Sequence, residues 1–109
     1  AEQASLAQIS ATDSQLAERF EVFAGGFELA NGFLELRDAV EQRQRFQQDL
    51  KTRAEQGSPA VAIDEAFLSA LEQGLPACAG VALGLDRVQL LAAGLDSLDQ
   101  LLPFPWSAL

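Results

Sequence analysis

The chain has 109 residues, 49% of them hydrophobic, with 16 Asp and Glu against 7 Lys and Arg, no His, and a formal net charge of −9. That length sets a ceiling of one domain, with mass enough to bury roughly 65% of its unfolded surface around one modest core. The acidic balance disfavours phosphate backbones and anionic lipid surfaces as partners, and the missing imidazoles remove His general-base chemistry and every His-containing zinc site.

Residues 1–18 are mixed and polar, without the basic head and apolar run of a secretory leader. Ser14 to Glu18 suit a turn of helix. From Arg19 to Ala24 polar and apolar residues alternate, Gly25-Gly26 follows, and the alternation resumes to about Leu36, the pattern of a β-hairpin. Gly-Gly suits a two-residue turn because both central positions need a positive φ. Asp38 is a good N-cap, with Glu41 three residues on as in a capping box, and the helix it starts runs to Gln56. Its apolar stripe, Val40, Phe46, Leu50 and Ala54, is thin, so most of the helix is expected to face solvent. Glu41, Arg45, Asp49 and Arg53 follow at i, i+4 spacing, either a mild helix support or an acid–base patch for a partner. Gly57, Ser58 and Pro59 end the helix.

Asp64 caps a second, shorter helix that turns Phe67, Leu68 and Leu71 toward a core and stops at Gly74 and Pro76. Ala77 to Leu83 reads as a short buried strand, and Gly84 breaks it. Leu85 to Ala93 then reads as a helix with Val88, Leu91 and Ala92 inward. A last capped turn spans Asp96 to Leu102. Hairpin, helix, helix, strand, helix is the order of an α+β domain with a mainly antiparallel sheet and flanking helices. The longest uncharged stretch, from Gln73 to Leu85, falls short of the ~20 apolar residues that a membrane span needs. Cys78 is the single cysteine, which rules out an internal disulfide and fits a reducing compartment such as the cytoplasm.

The hairpin carries a cluster of carboxylates. If Ala24 opposes Phe27 across the turn, Phe23 opposes Glu28 and Glu21 opposes Ala30. Glu21 and Glu28 then share a face as diagonal neighbours, roughly 7–8 Å apart. Two carboxylates so placed repel unless a cation lies between them, and Mg²⁺ takes one or two carboxylates plus substrate phosphates. The plainer alternative is an exposed sheet face with Glu21 beside Arg19. Asn31, Phe33 and Glu35 recur with period two, on the face opposite the glutamates under strict alternation. A bulge near Ala30 to Gly32 would bring all five together, making a pocket for an amine on an aliphatic stem, while an ordinary edge strand is the competing reading. Downstream, Gly80 to Val88 is a glycine-spaced strand running into a helix that carries Asp86 and Arg87. It reads either as a floor that a ligand can approach, with a cation at its rim, or as tight strand packing with an exposed Arg.

ERFEVFAGGFELANGF (from Glu18) with GLPACAGVALGLDRV (from Gly74) downstream resembles the C-terminal part of a class II lysyl-tRNA synthetase catalytic domain. Within that family the resemblance is to the short synthetase-like ligases that attach β-lysine to a lysine of elongation factor P. It covers about Leu6 to Leu102. It implies a class II synthetase-type antiparallel sheet over residues 1–109, with ATP and Mg²⁺ as cofactors and β-lysine or lysine as substrate. Glu21 and Glu28 match glutamates that hold Mg²⁺ against ATP phosphates. Asn31 matches an amide that contacts the amino-acid substrate, and Phe33 and Glu35 match residues that cover the lysine stem and pair its ammonium. Gly80, Gly84 and Arg87 match the third class II motif, whose Arg contacts the nucleotide and is catalytic. Ala82, where lysyl-tRNA synthetases usually have Gly, resembles the factor-modifying ligases, and PACAGVALG with Cys78 does too.

The resemblance further implies elongation factor P as acceptor, a homodimer for the longer enzyme, a cytoplasmic location, and no direct nucleic-acid or membrane contact by this chain. Motifs one and two of the class resemble nothing in residues 1–18, so the chain is expected to be the C-terminal part of a longer enzyme, inactive alone, with an exposed sheet edge. The alternatives are the end of a genuine lysyl-tRNA synthetase and a synthetase-derived binding module without chemistry.

Overall fold

A computed structural model of the chain describes residues 4–108. Its elements are β1 (Arg19–Ala24), β2 (Phe27–Leu34), α1 (Ala39–Glu55), α2 (Glu65–Glu72), β3 (Ala79–Leu83), α3 (Leu85–Ala92) and α4 (Leu98–Leu101), followed by a 3-10 turn at Trp106–Ala108. The three strands form one sheet in the order β1-β2-β3, so the α+β expectation holds in this architecture. Gly25 and Gly26 have φ of 57° and 83°, the left-handed pair that a two-residue hairpin turn requires. Among the described residues no helix is long and apolar enough to cross a membrane.

The chain divides into two compact units. The first comprises the chain up to Arg19 together with Phe33–Gly80; the second comprises Phe20–Gly32 and the chain from Val81 onward.

In the first unit, residues 14–18 do not form the expected helical turn. Asp13 Oδ1 accepts from the Gln15 N–H (2.8 Å), the chain reverses, and Ile9 pairs with Ala17 in an antiparallel bridge. The short Asp side chain satisfies its own backbone there, which competes with helix formation. α1 starts as its sequence predicts: Asp38 Oδ1 accepts from the Val40 and Glu41 N–H groups at 2.8 and 2.9 Å. Glu41 does not return a capping bond; it pairs with Arg45 one turn on.

Burial on α1 departs from the expected apolar stripe. Val40 is 68% exposed, whereas Gln42 is 1% exposed and its Nε2 donates to the Ser5 carbonyl (2.9 Å). So short a supply of apolar side chains leaves the helix to dock through polar ones, which is tolerable only because each finds a partner. Phe46 meets Phe67 of α2 with ring centroids 6.0 Å apart, and Leu68 and Leu71 fill the core beside Ala4, Ala7 and Leu36. Arg43 also ties α1 to the start of α2 through a bidentate pair with Glu65 (2.8 and 2.6 Å). The guanidinium holds the Glu65 carboxyl below its ordinary value. Its small contribution is therefore present above that ordinary value and fades as pH falls through the lowered one.

In the second unit, the residue of α3 that is fully buried is Leu90, with Ala30 of β2 also in the core. Val88 and Ala92, expected inward, lie at the surface, because the helix turns by about 100° per residue and a one-position error moves the buried face. Ser97, not Asp96, caps α4, its Oγ accepting from the Asp99 N–H (3.2 Å). Large apolar side chains on both outer strands are open to solvent, Phe23 on β1 and Val81 on β3 at 63% and 64%.

Candidate functional site

The second unit holds Glu21, Glu28, Asn31, Ala82, Gly84 and Arg87. The Gly84 N–H donates to the Leu29 carbonyl (2.9 Å), and in an antiparallel ladder that bond fixes the register around it. Asn31 therefore lies opposite Ala82, as Leu29 lies opposite Gly84. Opposed residues and their i+2 neighbours share a face, so Leu29, Asn31, Ala82 and Gly84 line one side of the β2–β3 pair.

The Gly-Gly turn sets Phe23 opposite Glu28, and Glu21, two residues from Phe23, takes the same face. The Leu34 N–H donates to the Glu18 carbonyl (2.9 Å), a pairing displaced by one residue from the register of the turn. β2 is nonetheless one uninterrupted strand in which Leu29 and Asn31 share a face, so Glu28 lies on the other, and the bulge expected near Ala30 to Gly32 does not gather all five side chains.

Arg87, in the first turn of α3, reaches back to the hairpin. Its Nη1 donates to the backbone carbonyl of Glu28 at 2.6 Å, and its stem runs over Gly84, whose missing Cβ would lie 3.4 Å from Arg87 Cδ. A guanidinium has five donors, so anchoring one nitrogen on a carbonyl orients the others and retains capacity for an anion. Among the described residues no group of three or more His, Cys, Asp or Glu side chains is placed to hold a metal ion. Two carboxylates are what Mg²⁺ requires of a protein when phosphate and water oxygens supply the remaining positions. Glu21 and Glu28 fit that donor set.

The first unit holds Phe33, Glu35 and Gly80. The Glu35 N–H donates to the Cys78 carbonyl (3.0 Å), which places Phe33 opposite Gly80 and Glu35 opposite Cys78, all on one face. The Glu35 carboxylate leans over Gly80: a Cβ built there would lie 3.1 Å from Oε1. Gly80 is thus the gap that admits the carboxylate, a role the sequence alone does not distinguish from nucleotide contact. We expect Gly80→Ala to push the Glu35 carboxylate off its rotamer at a cost of about 1 kcal/mol. A crystal structure of the variant checks this, and an unmoved Glu35 side chain would show that the glycine is not needed to admit the carboxylate.

Glu35 has a second flank that sequence reasoning missed. Ala7 pairs with it in an antiparallel bridge, with the Gln8 N–H donating to Leu34 O (2.8 Å) and the Leu36 N–H to Leu6 O (2.9 Å). Nothing in the polar run before Ser10 announces a strand partner. A separate cleft of about 350 Å³ beside α1, lined by Phe46, Leu50, Val61 and Ile63 with Asp49 and Arg53 of the acid–base run, contains none of the residues to which the resemblance assigns a substrate, nucleotide or metal role.

The family model of tRNA synthetases class II (D, K and N) matches residues 2–108. Elongation factor P–(R)-β-lysine ligase of Proteus mirabilis is 56% identical over 105 residues, which cover 96% of this chain and 32% of that protein. The ligase of the same name from Klebsiella pneumoniae is 59% identical over 104 residues, covering 95% of this chain and 32% of its own length. That of Hamiltonella defensa is 53% identical over 105 residues. The chain spans about a third of the length of these curated relatives.

Proposed function

Because the chain belongs to the family of class II tRNA synthetases (D, K and N), we propose that it supplies the ammonium-binding and nucleotide-binding residues of an adenylate-forming ligase that joins β-lysine to elongation factor P. The observation that carries this reading is the Glu35 carboxylate seated over Gly80 on the face of Phe33, an anionic seat beside an aromatic cover. An ammonium on a methylene stem has the matching chemistry: the charge pairs with the carboxylate and the methylenes lie against the ring. The names of relatives at 53–59% identity, elongation factor P–(R)-β-lysine ligases, support β-lysine as the substrate and elongation factor P as the acceptor.

In this reaction the substrate carboxylate attacks the α-phosphorus of ATP and pyrophosphate leaves. The acceptor amine then attacks the adenylate carbonyl and AMP leaves. In the second unit Glu21 and Glu28 would hold Mg²⁺, which when bound neutralises charge on the phosphates. Arg87, oriented by the Glu28 carbonyl, places its remaining donors for the nucleotide, and Asn31 orients the polar end of the amino acid. Glu35 and Phe33 do the work of positioning in the first unit, which converts binding into reactive geometry. Ala82 adds one methyl beside Asn31, enough to discriminate between substrates by about 1–3 kcal/mol.

Pyrophosphate exchange by the longer enzyme, with (R)-β-lysine and with α-lysine, tests the proposal. The expected result is a preference for β-lysine of about tenfold or more in kcat/KM. A strong preference for α-lysine overturns it in favour of a lysyl-tRNA synthetase.

A further inference from the structure

The polar face of α1 has an unusual amount invested in one short segment of backbone. Arg45 Nη1 donates to the carbonyls of Ala4 (2.9 Å) and Ala7 (2.7 Å), while its Nη2 pairs with Glu41. Gln42 Nε2 donates to the Ser5 carbonyl between them (2.9 Å), and the Ser5 hydroxyl donates to Asp49 Oδ2 (2.7 Å). The Arg45 side chain is 17% exposed and Gln42 is 1% exposed, so these bonds form largely away from water.

The segment so held is also buried through Ala4 and Ala7 and bonded through its own backbone. Residues 4–8 belong to no strand of the sheet, yet Ala7 is the antiparallel partner of Glu35, and Leu6 and Gln8 bond Leu36 and Leu34 on either side of it. Glu35 lies one residue past the end of β2, so its backbone is held between Cys78 on one flank and Ala7 on the other. A slip of the Ala7 flank would rotate the Glu35 Cβ and carry the carboxylate off Gly80.

We propose that Arg45 is a positioning residue for the ammonium site: by clamping the carbonyls of Ala4 and Ala7 it fixes the backbone that aims the Glu35 carboxylate. This rests on the reading of Glu35 as the ammonium partner, and it lies entirely within the first unit. Guanidinium suits the task because Nη1 donates to both carbonyls while Nη2 stays paired with Glu41, which fixes the plane of the group. A lysine in its place would bring one compact ammonium on a flexible stem, without the second nitrogen that Glu41 holds. Of the acid–base run along α1, Arg45 and Asp49 are thereby spent on the protein's own backbone segment rather than on a foreign partner.

The test uses the longer enzyme, with amino-acid-dependent pyrophosphate exchange as the readout. Arg45→Met, which keeps the stem and removes the donors, is expected to raise KM for (R)-β-lysine about tenfold while KM for ATP changes less than about twofold. Arg45→Lys is expected to recover part of that loss, and it stands in for Arg45→Met should the latter fail to fold. Combined with Glu35→Gln, either substitution should add little, because the carboxylate it would misplace is already gone. An additive effect in the double variant overturns the proposal, as does a lowered Tm with amino-acid KM unchanged, or equal rises in both KM values. If Glu35→Gln alone leaves amino-acid KM unchanged, the ammonium reading itself fails. If Glu35→Gln raises it and the Arg45 variants do not, only the positioning role fails.

Discussion

Glu35→Gln in the longer enzyme is expected to raise KM for the lysine-type substrate by about 100-fold while leaving KM for ATP near its original value. The carboxylate sits over Gly80 with its backbone bonded on both flanks, so the substitution removes charge without removing shape. Truncating one member of a desolvated charge pair costs about 2–5 kcal/mol, and the retained amide hydrogen bond puts the glutamine near the lower half of that range. About 2.7 kcal/mol corresponds to the 100-fold figure. Initial rates over a matrix of amino-acid and ATP concentrations separate the two constants. An unchanged amino-acid KM takes Glu35 out of the substrate site.

Glu28→Gln is the second large effect: adenylate formation should fall roughly 10³-fold, the consequence of about 4 kcal/mol less charge stabilisation on the phosphates. Tm should hold, because Arg87 is anchored on the Glu28 backbone carbonyl, which the substitution leaves in place. Glutamine also keeps the length and the β2 position of the half-buried side chain. Pyrophosphate exchange at increasing Mg²⁺ is the measurement. Near-normal exchange at low Mg²⁺ would remove the metal role from this carboxylate.

Features that depend on short stretches of chain are legible in the sequence. The Gly25-Gly26 turn follows from the two positive φ values it needs, and the Asp38 and Asp64 caps follow from short acceptor side chains placed before helical composition. Period-two spacing put Phe33 and Glu35 on one face, and the ladder bond at Glu35 agrees. Each of these is set by interactions among residues only a few positions apart.

Burial and partnership were not legible in the same way. Gln42 is buried and Val40 exposed because the backbone of Ser5 offers an acceptor at that point, a coincidence of two segments 37 residues apart. Leu90 rather than Val88 fills the core of the second unit because packing selects one helical face and an eight-residue helix has several apolar candidates.

Local chemistry, then, sufficed for the strands, the turn, the helix starts and the shared face of Phe33 and Glu35, since dihedral preference and side-chain spacing act within a few residues. The long-range pairings decided the rest: Gly80 under the Glu35 carboxylate, Ala7 alongside Glu35, Arg87 on the Glu28 carbonyl and Arg45 on Ala4 and Ala7. Each of those contacts satisfies a donor or a space that two distant segments create only when they meet, and no periodicity in either segment encodes the other.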